Sequence, residues 1–332
     1  MKITSNLPFS TITQRLDNTE HIFFKFAVTS RYFYLCSLEV VIMKITGFTF
    51  IRNAVIFDYP VTEAIKSILP LCDDFVVAVG NSDDGTGDLI RGIDKQKIKV
   101  ISTVWDESPE MKKGGKVYAS ETDKAFRAVP DDSDWAFYIQ GDEVVHEKHH
   151  GNIRSAMEQW KDDRRVDGLL FNYLHFYGSY DYIGISPRWY RNEIRIIRND
   201  KSIFSYRDAQ GFRKGKNRKL NVKPVDAYIY HYGWVKEPAV MMKKLKSTSS
   251  YYTDLEWVKE VTKGDIFDYS SIDSLQPFSG THPGVMKERV SRKNWHFDHD
   301  ISFNRLSLRY RGKIFIKKYL GINTFYENYK II

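Results

Sequence analysis

Trp135-Ala136-Phe137-Tyr138-Ile139-Gln140-Gly141-Asp142-Glu143 is the stretch on which the reading of this 332-residue chain turns. Its apolar run reads as a strand buried on both faces, ending at a small residue and two adjacent carboxylates. In an open α/β sheet, ligands sit beyond the carboxyl ends of the strands, which is where such a strand delivers Asp142. A hard divalent cation holding a diphosphate is one ligand a carboxylate can serve there. The same residues also read as a plain acidic turn, so the neighbouring segments must decide.

Upstream, strand and helix alternate. Ile45 to Ile51 is an apolar run feeding Arg52-Asn53, and Pro60 opens a helix whose Val61, Ile65, Ile68 and Leu69 recur at helical spacing until Pro70. Phe75 to Val79 is a second buried strand, followed by the turn-forming Gly80-Asn81-Ser82-Asp83-Asp84-Gly85-Thr86 and a short helix from Asp88 to Gly92. Ile98 to Val104 is a third strand. This alternation predicts a parallel sheet covered by helices on both faces. Lys112-Lys113-Gly114-Gly115-Lys116 precedes a helix over Val117 to Val129; its lysines, Lys116 included, suit phosphate oxygens at a helix N-terminus, or simply a solvated turn.

Downstream, a helix spans Asn152 to Trp160 and an aromatic-rich strand Gly168 to Tyr177. Glu193 to Arg198 alternates as a strand, Arg213 to Lys223 forms a basic hairpin-like segment, and a strand over Ala227 to Tyr230 runs into His231. Beyond residue 236 the alternation fades into a helix near 238 to 259 and a loop carrying His282. A basic, partly apolar tail follows, in which Arg309, Arg311 and Lys313 mix with Leu308, Ile314 and Phe315.

The composition is globular, with 42% hydrophobic and 28% charged residues. Aromatics reach 15%, enough to supply stacking surfaces as well as core. A formal charge of +8 favours anionic partners without choosing among them. Cys36 and Cys72 are too few for a disulfide framework or a cysteine zinc site, which points to a reducing compartment. Ile22 to Ile42 is long enough to span a bilayer, but Lys25, Arg31 and Glu39 interrupt it at a cost that argues against a span. Met43-Lys44-Ile45-Thr46 repeats residues 1 to 4, so Met43 reads as the natural start, with residues 1–42 an upstream-start artefact or loose anchor.

Taken in order, the strand-end motifs resemble those of the family 2 glycosyltransferases over about residues 44 to 235. Arg52-Asn53 stands where that family often has a Thr-Tyr-Asn turn, and Ser82-Asp83-Asp84-Gly85-Thr86 is similar to its Gly-Ser-Thr-Asp-Gly-Thr loop. Gln140-Gly141-Asp142-Glu143 is similar to its Asp-Ala-Asp-Glu. The resemblance implies a GT-A-type α/β fold with a Rossmann-like, mostly parallel sheet over 43–236 and a C-terminal extension over 237–332. It also implies a nucleotide-diphosphate sugar donor, Mg2+ or Mn2+, and transfer with inversion. By that resemblance Asp142 would hold the metal, with His231 completing the shell or meeting the diphosphate. Asp208, in Tyr206-Arg207-Asp208-Ala209, would be the base that deprotonates the acceptor hydroxyl. Phe50, Arg52, Asn53, Asn81, Asp84, Lys116, Gln140 and Gly141 would surround the donor, and Glu143 would orient either that loop or the donor sugar.

Each residue has a plainer role as well: Asp208 in a surface ion pair with Arg207, His231 bonded to backbone. His282 lies beyond the family-like region and is the weaker candidate for the histidine's task. Gln140 replaces a usual carboxylate, which weakens the hold on a cation. Gly80-Asn81 stand where the family commonly has a nucleobase-binding Asp, so the nucleotide stays open. A non-catalytic sugar-nucleotide or glycan binder with a degenerate metal motif is the alternative. Nucleic acid ranks low, because the basic segment lacks interleaved stacking aromatics. The acceptor would be a glycan, a lipid-linked glycan or a small molecule. The basic tail reads first as a packing helix with a solvated face in a cytoplasmic protein; its alternative is peripheral contact with the inner face of an anionic membrane, in polysaccharide or glycolipid biosynthesis.

Overall fold

A strand buried on both faces has no reason to alternate, and Trp135–Tyr138 shows why the sequence there is uniformly apolar: all four side chains are buried in the centre of the sheet. The computed structural model describes residues 11–16, 19–24, 37–41, 43–251, 262–302, 306, 308–320 and 326–332. The chain divides into two compact units, Met1–Lys44 and Ile45–Ile332. In the first, strands Thr11–Leu16, Thr19–Phe24 and Ser37–Val41 form a small antiparallel sheet. The proposed span from Ile22 to Ile42 therefore has its described ends in strands, while residues 25–36 and 42 lie outside the described residues. Among the described residues no helix is long and apolar enough to cross a membrane.

The second unit is built on one mixed sheet. Its strands are β1 (Ile45–Ile51), β2 (Asp74–Gly80), β3 (Ile98–Thr103), β4 (Trp135–Tyr138), β5 (Glu143–Val145), β6 (Gly168–Tyr177), β7 (Asn192–Arg198), β8 (Ile203–Tyr206), β9 (Gly211–Lys214), β10 (Arg218–Trp234) and β11 (Tyr329–Ile331). The spatial order is β3-β2-β1-β4-β7-β6-β10-β9-β8. From β3 to β4 every pairing is parallel, whereas β7 runs antiparallel to both β4 and β6. This is the α/β arrangement with a Rossmann-like half expected of a GT-A-type fold.

The helices α1 (Val61–Ile68), α2 (Thr86–Arg91), α3 (Lys116–Arg127) and α4 (His150–Trp160) cover the sheet. In α1 the residues Val61, Ala64, Ile65 and Ile68 form the buried stripe, which is the 3.6-residue period seen in the sequence. Phe48, Phe126, Tyr138 and Phe212 meet in one aromatic core, with ring centroids 5.2 to 6.3 Å apart. At the end of α4 the Arg198 guanidinium donates to the carbonyls of Trp160, Lys161, Asp163 and Val166 at 2.6 to 2.8 Å, satisfying carbonyls a helix terminus leaves open.

Two expectations change. The basic hairpin exists as β9 and β10, but the strand over Ala227 to Tyr230 is only part of the 17-residue β10. Within β10, Pro224 sits where the register against β6 shifts, a bulge that tolerates a missing N–H. The segment 237–332 is also no separate appendage: helix α5 (Pro238–Ser249) buries Met241, Met242 and Leu245, and β11 pairs with Leu220–Val222 of β10. The continuation of that helix toward 259 falls among residues 252–261, outside the described ones.

Candidate active site

Beyond the carboxyl ends of β1 and β4 lies a cleft of about 440 Å³. Its lining includes Phe50, Arg52, Gln140, Gly141, Asp142, Asp208 and His231, so residues spread over 180 positions of sequence meet in one place. The close approach depends on two glycines. A Cβ on Gly141 would lie 2.8 Å from the Ile51 side chain, and one on Gly233 would lie 2.8 Å from the His231 ring and 2.9 Å from Asp142 Oδ2. Any larger residue at 233 displaces one of the two side chains.

Asp142 is nearly buried and stays ionised. Burial raises its pKa, but the Lys244 ammonium, with Lys236 behind it, outweighs that and holds it at about 2. Lys244 Nζ lies 3.2 Å from Asp142 Oδ2 and also donates to the Gly233 carbonyl at 3.0 Å. Lys236, wholly buried, donates to the Asp58 carbonyl, and the two ammonium groups lie 4.7 and 4.9 Å from the ring centroid of Tyr59. Burial lowers the Lys236 pKa to about 7, with Lys244 pushing the same way.

His231 is placed by register. On β10 it faces Glu143 of β5 and His175 of β6. His175 Nε2 lies 2.7 Å from the Tyr190 carbonyl, which can only accept, so Nε2 carries the proton. His175 Nδ1 is then bare and accepts from His231 Nδ1 at 3.1 Å, which leaves the lone pair of His231 Nε2 directed at the cleft, 3.7 Å from Asp142 Oδ1. Burial lowers the pKa of both imidazoles, so both are neutral in this chain of bonds.

Asp208 sits at the tip of a strained turn. Arg207 and Ala209 on either side of it both have left-handed φ, 58° and 63°, which non-glycine residues rarely adopt. The Arg207 guanidinium packs over the rings of Tyr206 and Tyr326. The Gln140 amide donates to the Ala209 carbonyl at 3.0 Å, tying this turn to the strand-end motif.

Four of the expected donor-site residues are engaged away from the cleft. Glu143 is fully buried and makes four contacts: Arg195 Nε at 2.8 Å and Nη2 at 2.7 Å, Tyr173 Oη at 2.8 Å and the Gln140 N–H at 3.1 Å. A carboxylate has about four lone-pair sites, so none remains for a sugar. Asp84 is likewise consumed: it accepts from the N–H groups of Val55, Ile56 and Thr86 and from the Thr86 hydroxyl, and so braces the loop after β1. Asn81 is exposed, lies outside the cleft lining, and accepts from the Trp105 N–H at 3.5 Å. Lys116 is half-exposed near Glu110, 3.8 Å away, and lies outside the cleft lining.

Asn53 lies beside the cleft rather than in it, in an adjoining hollow of about 240 Å³, where it adopts φ 54° and its buried Oδ1 has no partner among the described residues. His282 bonds Tyr232 at 2.8 Å inside an aromatic cluster and does not line the cleft.

Sequence reasoning missed Tyr59, Trp105, Tyr118 and Lys244, which also line the cleft. The one available sign for Lys244 was its place in a helix among the buried Met241, Met242 and Leu245, a face where lysine is expensive. Trp105 and Tyr118 pack with Phe50 and Tyr251 at centroid distances of 5.4 to 6.0 Å, and the Arg52 guanidinium lies 5.3 Å over Trp105 while pairing with Glu107 at 2.6 Å. One end of the cleft is therefore aromatic and the other carries the charged groups.

No family model and no curated protein matches the sequence. Among solved structures the chain is similar to TarS from S. aureus, at 12% identity and a TM-score of 0.37, over 68% of this chain and 40% of that one. It is also similar to 4-diphosphocytidyl-2C-methyl-D-erythritol synthase from Anaerococcus prevotii, at 10% identity and a TM-score of 0.28, over 47% and 70%. A third is glucosyl-3-phosphoglycerate synthase from Mycobacterium tuberculosis, at 17% identity and a TM-score of 0.28, over 40% and 43%; it was crystallised with Mn2+, uridine diphosphate and phosphoglyceric acid. The chain spans about two fifths of the length of the first and third.

Proposed function

We propose that the cleft binds a nucleotide-diphosphate sugar and transfers the sugar to an acceptor hydroxyl with inversion. The observation that carries this reading is the gathering of Asp142, His231, Lys244 and Asp208 in one cleft beyond the ends of the parallel strands. The aromatic end, formed by Phe50, Trp105 and Tyr118, suits the base and ribose. The charged end suits the diphosphate.

The donor set fits a divalent cation with two protein ligands. Asp142 Oδ1 and the bare His231 Nε2 are 3.7 Å apart and face the same space, and Mg2+-type ions commonly take few protein ligands and complete their shell with phosphate oxygens and water. The Gln140 amide, engaged with Ala209, replaces the missing carboxylate only as a brace. Among the described residues no group of three or more His, Cys, Asp or Glu side chains forms a denser site. When bound, the cation would neutralise charge developing on the leaving diphosphate.

The protein's own part is clear in outline. Lys244 supplies positive charge beside Asp142 for the diphosphate. Asp208, held at a strained turn, takes the proton of the acceptor hydroxyl as that oxygen attacks the anomeric carbon opposite the leaving group. Nucleoside diphosphate and a glycoside with inverted configuration are the products. The test is a panel of nucleotide sugars assayed for transfer and hydrolysis with and without Mn2+, using Asp142→Ala and Asp208→Ala as controls. Full activity in both variants removes the site assignment.

A further inference from the structure

A second cavity, of about 410 Å³, is walled in part by Gln210 of the Asp208 turn, and buried polar groups without partners among the described residues line it. Glu193 is 2% exposed; its Oε1 accepts from Gln210 Nε2 at 3.0 Å, while Oε2 has no partner among the described residues. Asn328, also 2% exposed, has neither its amide oxygen nor its amide nitrogen engaged by any of the described residues. Both heads converge over Gly211, where a Cβ would meet Asn328 Nδ2 at 2.3 Å and Glu193 Oε2 at 2.8 Å. An unpaired buried carboxyl and an unpaired buried amide side by side are costly, and a fold retains such a pair when something else completes the bonding.

The place of the cavity suggests what that is. Gln210 follows Asp208 by two residues, so the turn that carries the proposed base also forms the cavity wall. Tyr190, whose carbonyl fixes the His175 proton, lines the cavity together with Trp189 and Tyr326. Arg213 Nη2 holds the Tyr326 hydroxyl at 2.7 Å. Aromatic faces beside a carboxyl and two amides are the complement of a pyranose, which has an apolar C–H face and a rim of hydroxyls.

We infer that this cavity binds a pyranose unit of the acceptor glycan, with Glu193 and Asn328 bonding its hydroxyls. The inference rests on reading the neighbouring cleft as a sugar-donor site. Burial pushes the Glu193 carboxyl up to about 8, so at neutral pH it is a neutral acid that both donates and accepts, as hydroxyl recognition needs. The volume is within the range of small-ligand pockets.

The test is ligand-observed NMR with methyl glycosides of glucose, galactose, mannose and N-acetylglucosamine, on the full chain and on Glu193→Ala, Glu193→Gln, Asn328→Ala and Gln210→Trp. Uridine and guanosine diphosphates are titrated into the same samples. At least one glycoside should bind the unaltered protein. Glu193→Ala, Asn328→Ala and the cavity-filling Gln210→Trp should each weaken it about tenfold or more, equivalent to removing one good hydrogen bond. Glu193→Gln, which preserves shape and neutrality, should retain it, and nucleotide binding should be the same in all samples that bind it. Absence of glycoside binding to the unaltered protein, or equal binding in the Ala variants and Gln210→Trp, overturns the inference. Glycoside binding without nucleotide binding would uphold the cavity and overturn the donor cleft; the reverse result would overturn the cavity alone.

Discussion

Replacing Arg195 by Met should destabilise the unit more than any change at the cleft surface. Arg195 is fully buried and makes two charge-assisted bonds to Glu143, at 2.7 and 2.8 Å, and two more to the carbonyls of Ile194 and Gln210, at 2.9 and 3.1 Å. The rings of Tyr138 and Tyr173 lie 5.3 Å from its guanidinium carbon. Methionine fills much of the volume but leaves the Glu143 carboxylate with only the Tyr173 hydroxyl and the Gln140 N–H. Removing one partner of a buried pair costs about 3–5 kcal/mol because the other charge stays behind. Against a total of roughly 5–15 kcal/mol this is a large loss, on the order of 10 °C in melting temperature for a unit of this size. Urea unfolding followed by fluorescence measures it, with Glu143→Gln and the double variant completing a cycle. The neutral glutamine still accepts from Tyr173 and Gln140, so the double variant should recover about half of the single-variant loss. A cost below about 1 kcal/mol for Arg195→Met, or strict additivity in the cycle, would refute the claim that this pair anchors the loop at 140–143.

Other expectations follow from the same contacts. Glu143→Gln should leave the apparent donor affinity within about twofold, since Glu143 faces Arg195 and not the cleft; a tenfold change would restore it to the donor site. Gly233→Ala should lower nucleotide affinity by about tenfold or more, because its Cβ forces His231 or Asp142 to move; calorimetric titration reads this directly. Lys244→Met removes the strongest influence holding Asp142 ionised, and burial then raises the carboxyl. Asp142 has a depressed folded pKa, so its stabilisation is present above the ordinary carboxylate value and lost as pH falls toward about 2; in Lys244→Met that loss should begin at higher pH, as followed by acid unfolding. Glu193 has the opposite sign. With a folded pKa of about 8 against roughly 4.3 unfolded, it is favourable at low pH and costs stability as pH rises through that window, even with Arg195 lowering it and Glu143 raising it nearby. Glu193→Gln should therefore gain on the unaltered protein between about pH 5 and 8 by a few kcal/mol at most, and parallel pH–stability curves would contradict this.

Much of the framework was legible because it depends on local pattern. Trp135 to Tyr138 and Phe75 to Val79 are apolar on both faces, and α1 repeats its apolar residues with helical period, so sheet and helix could be placed before any contact was known. Asp142 drew attention because strand ends in such sheets face ligands, and His231 and Asp208 through the family resemblance; the fold brings the three to one cleft. What failed was partner choice. Glu143 and Asp142 are chemically alike and adjacent, and only Arg195, distant in sequence, separates a buried ion pair from a cleft residue. The charged Glu193, Arg195 and Arg198 inside the buried β7 were the available sign that buried polar groups needed partners there. Lys244 and Asn328 lie past the family-like region, and their roles depend on long-range packing that no local spacing encodes.

The most direct test of the account is release of nucleoside diphosphate from uridine-, guanosine-, cytidine- and thymidine-diphosphate sugars, measured for the unaltered protein and for Asp142→Asn with glycoside acceptors present. Asparagine keeps the shape of Asp142 but removes the charge that Lys244 and His231 surround. The account predicts turnover of at least one donor, falling about a hundredfold or more in Asp142→Asn, with both proteins equally folded. Equal turnover in the two proteins, or no binding and no turnover of any donor by the unaltered chain, would contradict it.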